Sequence, residues 1–170
     1  RGRPQTVTNT AEGYRPSSFS SWGVAPNLTL APDITAVGGN VYSTVDRGQY
    51  DVMSGTSMAS PSAAGMAAVV AQYIHENHLD QQEGLTVRTL AQSLLMGTAI
   101  PTMDPNGEVE YAPRSQGAGV ANMEAATQTR GYLTSINGKP AKGELGSNEE
   151  GSFRYTFYVH NFGDEMLQYQ

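Results

Sequence analysis

The 170-residue chain contains no cysteine, which excludes disulfides, thiolate metal sites and a cysteine nucleophile while leaving its compartment open. Charge is sparse as well. Asp, Glu, Lys and Arg make up 15% of the residues, and ten scattered Lys and Arg face sixteen Asp and Glu, a formal net charge of −6. Such a balance offers no basic stripe to phosphates, so nucleic acid is not expected as a partner. No apolar run reaches the length of a membrane span; that from Ala63 to Ala71 is short and interrupted by Gly65. The chain opens on Arg1-Gly2-Arg3-Pro4 without an apolar signal segment, as expected of an interior piece of a longer polypeptide. Histidine is late: the first is His75, followed only by His78 and His160.

What is present fits a folded protein, with 38% hydrophobic residues, and 19 Gly and 9 Pro that imply frequent turns. The length suits one domain, or one core and part of a second. Residues 1–26 read as loop with at most one short strand. Asn40 to Val45 alternates like a strand, and Gln49 to Gly55 reads as a second strand ending in a tight turn. From Ser57 to about Asn77 an alanine-rich stretch predicts a long helix, small and uncharged on every side in its first half and therefore expected to be buried all round. Val87, Leu90, Leu94 and Leu95 predict a second helix over about Thr86 to Met96, stopped by Gly97.

Further on, Asp104 to Tyr111 reads as a turn with a following strand, and Ser115 to Thr127 as a glycine-rich bend and a short helix. The character changes near residues 129–133. In Ser152 to Asn161, Phe153, Tyr155, Phe157 and Val159 alternate with Arg154, Thr156, Tyr158 and His160, so the first set is expected inside and His160 outside. The stretch from Ser135 to Gly151 has hairpin and turn chemistry, and Met166 to Gln170 begins another strand. Two or three strands cannot bury a sandwich core, so this end reads as the start of a β-sandwich.

The distinctive stretch is "GTSMASPSAAGMAAVV", from Gly55 to Val70. A serine hydroxyl is a weak nucleophile until a base takes its proton, and the oxyanion it generates needs fixed donors. Ser57, at the first turn of a helix, has an unpaired backbone N–H and a favourable dipole beside it, and Gly55 permits close approach. A capping role for Ser57 or Thr56 is the bland alternative, and on position alone the commoner one. Neither a G-x-S-x-G elbow nor an S-x-x-K pattern occurs at this serine.

The string "SGTSMASPSAAG" resembles the nucleophile motif of the subtilisin-like (subtilase, S8-type) serine peptidases. Other pieces follow in family order: "SSFSSWG" from Ser17, "LAPDITAVGGNVYSTV" from Leu30, then "LLMGTA" and "QGAGVANMEAA". The resemblance covers residues 17–127 and is strongest to the Gram-positive cell-envelope proteinases of the lactocepin and C5a-peptidase group. In these a fibronectin-III-like domain follows the peptidase domain. Val37 stands where the family usually has Pro, and Ser62 where many members have His.

The resemblance implies an α/β fold: residues 1–130 as the C-terminal portion of a subtilisin-like parallel-sheet domain, and 131–170 as an incomplete all-β fibronectin-III-like sandwich. It implies Ser57 as the acyl-forming nucleophile with its N–H an oxyanion donor, Gly55 and Thr56 shaping the approach, Met58 flanking the leaving group, and Phe19 to Gly23 near the cleft. The family order is Asp, His, oxyanion Asn, Ser. No histidine precedes Ser57, and His75 and His78 lie roughly 25–30 Å along the helix at 1.5 Å per residue. Asp33 and Asp46 match structural positions and not the triad acid. One triad member of three and one oxyanion donor of two are therefore present, and the chain alone is expected to be inactive.

The implied partners are a polypeptide substrate and an upstream part of the same polypeptide carrying Asp and His. The implied location is extracellular or cell-wall associated. No cofactor is expected. Calcium, which the resemblance allows in full-length members, is not assigned, because Asp104-Pro105-Asn106-Gly107 is a turn sequence. The sequon Asn27-Leu28-Thr29 is read as coincidence. Three rivals remain open: a degenerate peptidase kept as an adhesion or scaffold module, an interaction protein working through its sandwich segment, and an assembly fragment. The last would leave apolar surface exposed around the Ser57 helix.

Overall fold

The computed structural model describes residues 15–136, 142–143 and 148–168. The loop reading of residues 1–14, the middle of the hairpin reading after Ser135 and the end of the last strand lie outside the described residues. The first regular element is an antiparallel hairpin, β1 (Val41–Thr44) and β2 (Tyr50–Met53), with Val41 opposite Met53 and Thr44 opposite Tyr50. Its tip is a single 3-10 turn at Asp46–Gly48.

Helix α1 (Thr56–Glu76) follows at once and runs for 21 residues. It ends where Asn77 N–H donates back to the Tyr73 carbonyl and His78 turns left-handed. A short helix, α2 (Leu79–Glu83), and then α3 (Val87–Gly97) come next. Thr86 starts α3 by accepting the Thr89 N–H at 3.2 Å on its hydroxyl. α4 (Pro113–Gln116) and α5 (Met123–Gln128) are single turns, the second capped by Asn122. β3 (Gly131–Ser135) and β4 (Phe157–Asn161) pair antiparallel, Tyr132 facing His160. The architecture is mixed α/β with two small, unclosed sheets.

The core gathers at one end of α1. Val70 and Ile74, four residues apart on one helix face, meet Leu90, Leu94 and Leu95 of α3, Leu79 of α2, Ala126 of α5 and Tyr132 of β3. Burying each large side chain contributes about 1.5–3 kcal/mol relative to exposure. The first half of α1 has no such cover: Ser57, Ser60, Ala64, Gly65, Ala68 and Val69 are exposed. Ala63, Ala67 and Ala71 face an apolar groove against Ala91 and Leu95 of α3. The expectation of a helix buried all round is therefore corrected, since the described chain supplies partners only for the Val70–Ile74 end.

Residues 33–35, 100–102 and 116–121 are knitted together largely by backbone bonds. Thr35 and Ile100 both bridge to Val120. The buried Gln116 side chain accepts from both the N–H and hydroxyl of Thr102, at 2.7 and 2.8 Å, and donates to the Tyr111 carbonyl. The glycines of the Gln-Gly-Ala-Gly bend are required here. Gly117 (φ 65°) and Gly119 (φ 121°) press against backbone, and a Cβ would sit 2.3 Å from the Asp33 oxygen or 2.4 Å from the Ile100 carbonyl carbon.

Two strand expectations are corrected. The stretch after Gly107 makes one isolated bridge, Met103 to Glu110, and no strand. In β4 the described chain covers the opposite face, at His160. Phe157 and Val159 are about half exposed, while His160 stacks on the buried Tyr132 with ring centroids 4.4 Å apart. Cross-strand partners share a face, and Tyr132 points into the core, so His160 must follow it.

Candidate active site

The start of α1 is set by two glycines. Gly55 N–H donates to the Gly38 carbonyl at 2.8 Å. A Cβ on Gly38 would come within 2.7 Å of the Gly55 oxygen, so the Gly38-Gly39 turn lies directly against the helix start. Gly55 is itself the N-cap residue, in extended conformation, and no side chain caps the helix. The capping alternative for Ser57 and Thr56 is thereby removed. Met58 and Ala59 N–H groups donate to the Gly55 carbonyl at 3.0 and 3.4 Å. The Thr56 and Ser57 N–H groups have no acceptor among the described residues.

Pro61 adds to this opening. It stands four residues after Ser57 inside the helix and has no N–H, so the Ser57 carbonyl lacks the usual bond from the residue four positions on. Ser57 is exposed, and its hydroxyl also has no partner among the described residues. An unpaired N–H and a free hydroxyl thus share the positive end of a 21-residue helix. Chemically, this arrangement offers an acceptor-seeking donor beside an exposed hydroxyl, with no histidine near it among the described residues.

Ser57 opens onto a groove of about 360 Å³ between the helix start and one face of the β1–β2 hairpin, with Val41, Ser43, Asp51, Met53 and Met58 among its walls. Met58 therefore lines the groove beside Ser57, whereas neither Gly55 nor Thr56 does. The residues of the Phe19–Gly23 loop are not among the walls of this groove. Gly23 N–H donates to the Arg114 carbonyl at 2.7 Å, and the Arg114 guanidinium lies over the Trp22 ring.

None of the three histidines approaches Ser57. His75 and His78 are exposed at the far end of α1, about 27 Å along the axis at 1.5 Å per residue. His160 belongs to a cluster unmarked in the sequence. Its Nε2 lies 2.8 Å from Thr134 Oγ1, and its Nδ1 3.5 Å from Glu83 Oε2, which also accepts the Tyr132 hydroxyl at 2.6 Å. Hydroxyl, imidazole and carboxylate are connected as in a relay, but Thr134 is 1% exposed and no substrate can reach it. The cluster fastens β3 and β4 to α2. Burial, and then the bond to Glu83, push the Tyr132 hydroxyl pKa well above its ordinary value.

Among the described residues no three His, Asp or Glu side chains are placed to hold a metal ion. The Asp104 carboxylate accepts from the N–H groups of Glu108 and Val109, at 2.8 and 3.2 Å, and these backbone bonds hold its carboxyl below the usual range. Asp33 is likewise satisfied, by Lys142 Nζ at 2.6 Å and Gln92 Nε2 at 2.8 Å. No helix among the described residues is long and apolar enough to cross a membrane.

Comparison with known proteins gives this arrangement a class. Residues 6–119 match the subtilase family of peptidases, and the chain belongs to that family. Over 166 residues it is 32% identical to the C5a peptidase of Streptococcus pyogenes serotype M6, taking in 96% of this chain and 14% of that protein. Over 136 residues it is 38% identical to the PII-type proteinase of Lactococcus lactis subsp. cremoris, covering 74% of this chain and 7% of that one. The chain thus spans about a seventh, or less, of these curated relatives. Among solved structures, the patellamide maturation protease PatA is similar at 29% identity, over 55% of this chain and 32% of its own, with a TM-score of 0.40.

Proposed function

We propose that these residues carry the nucleophile of a serine endopeptidase whose base, orienting acid and second oxyanion donor come from elsewhere in a longer polypeptide. The observation that carries this reading is the pairing at Ser57 of a free, exposed hydroxyl with an unpaired N–H at a helix start. In the complete enzyme Ser57 attacks the peptide carbonyl after a histidine takes its proton, and an Asn joins the Ser57 N–H on the oxyanion. Gly55 gives clearance and Met58 borders the leaving group. The uncovered half of α1 supports the same reading, because its apolar face is suited to further strands of a parallel sheet.

Residues 1–130 are, on this reading, the C-terminal portion of the peptidase domain, and 131–170 the start of a fibronectin-III-like sandwich. The half-exposed Phe153, Tyr155, Phe157 and Val159 await the remaining strands. The named relatives from two Gram-positive bacteria support an extracellular or cell-wall location and a polypeptide substrate.

A fluorophosphonate probe tests the mechanism. The 170-residue chain should label at Ser57 no faster than its Ser57→Ala variant, because no base is within reach. The longer polypeptide should label rapidly and lose hydrolysis by about 10⁴-fold or more on Ser57→Ala. Rapid labelling of the short chain, or full activity in the variant, refutes the reading.

A further inference from the structure

We infer that Asp51 gives the groove beside Ser57 a preference for a cationic side chain of the bound peptide. The inference rests on the peptidase reading above and adds a specificity determinant to it. Its basis is the hairpin register. Val41 pairs with Met53 and Ser43 with Asp51, so these four side chains share one face, and all four line the groove with Ser57. The opposite face is different in character: Tyr42 and Tyr50 stack there at 5.6 Å.

Among the described residues that line the groove, Asp51 is the one charged side chain. One carboxylate oxygen accepts the Val52 N–H at 2.7 Å, and the other has no donor among the described residues. The nearest cation in sequence, Arg47 at the hairpin tip, is turned to Asp46 at 3.6 Å. The negative charge is therefore unneutralised and faces the space a peptide would enter. Val41 and Met53 flank it on the same face, an apolar strip beside a carboxylate. That combination suits Lys or Arg, whose aliphatic stem packs on apolar surface while the charged head reaches the acid. Being exposed, the pair will have a modest effect that salt screens.

The test uses the longer polypeptide and peptide sets that place Lys, Gln or Glu in turn at each position within three residues of the cleaved bond. At low ionic strength one position should favour Lys over Gln in kcat/KM by about two- to fivefold and disfavour Glu. The ratio should fall to unity at about 0.5 M salt, and also in Asp51→Asn, and it should invert towards Glu in Asp51→Lys. A Lys/Gln ratio unchanged in both variants overturns the inference and leaves the Ser57 reading standing. Hydrolysis that survives Ser57→Ala overturns the site reading itself, and the two failures are thereby distinct.

Discussion

Replacing Tyr132 by Phe removes one oxygen from the cluster that fastens β3–β4 to the helices. The ring keeps its place against His160, so packing is conserved and the interaction lost is the 2.6 Å bond to Glu83. Hydrogen bonds to charged groups contribute about 1.5–3 kcal/mol. Glu83 keeps its contact with His160, and its side chain is 19% exposed, enough for water to take the vacant position. A loss of about 1–2 kcal/mol at pH 7 is therefore expected.

The pH dependence is more telling. The folded state holds the Tyr132 hydroxyl protonated, with its pKa raised, whereas the unfolded chain ionises it near pH 10. The stabilisation is complete below pH 10 and is lost as pH rises above it, by about 1.4 kcal/mol at pH 11. The Tyr132→Phe variant has no hydroxyl to ionise at this position, so the difference between the two proteins isolates it. Urea denaturation at pH 7, 9 and 11 should show the gap between wild type and Tyr132→Phe closing almost completely at the highest pH. A gap that stays constant across this range refutes the reasoning.

Two further substitutions probe the frame. Ile74→Ala empties a fully buried position at the centre of the core and should cost about 2–5 kcal/mol in chemical denaturation, whereas Ile100→Ala, at a half-exposed site, should cost less than about 1.5. Gly119→Ala places a Cβ 2.4 Å from the Ile100 carbonyl carbon at φ 121°, so the Ile100–Val120 bridge must open. It should destabilise the protein by more than about 1 kcal/mol, with the Ile100 and Val120 amides exchanging faster than those of α3.

Local signals carried far where they were periodic or chemically specific. The hairpin strands, α1 and α3 could be placed within a residue or two, because alternation and three-to-four spacing follow from backbone geometry. Ser57 was singled out by an unusual string. α2 escaped because five residues show no period; its only cues were Leu79 and the turn at His78. In β4 apolar alternation shows which residues share a face but not which face the neighbouring elements cover. That is decided by the partner strand, and Tyr132 pulled His160 inward. Burial of α1 was overestimated for the same reason: small residues permit close packing but do not supply what packs. Asp51 and the Glu83 cluster depend on register and on pairs 26 to 77 residues apart, distances at which one sequence gives no cue.

The one-sided anchoring of α1 has a mechanical consequence. Ile74 lies seventeen positions after Ser57, a lever arm of about 25 Å at 1.5 Å per residue. A tilt of about one degree about the anchored end moves the Ser57 hydroxyl by about 0.4 Å, close to the roughly 0.5 Å within which reacting groups must be held. Angular stiffness, more than depth of burial, is then what any structure seated along the alanine face must provide.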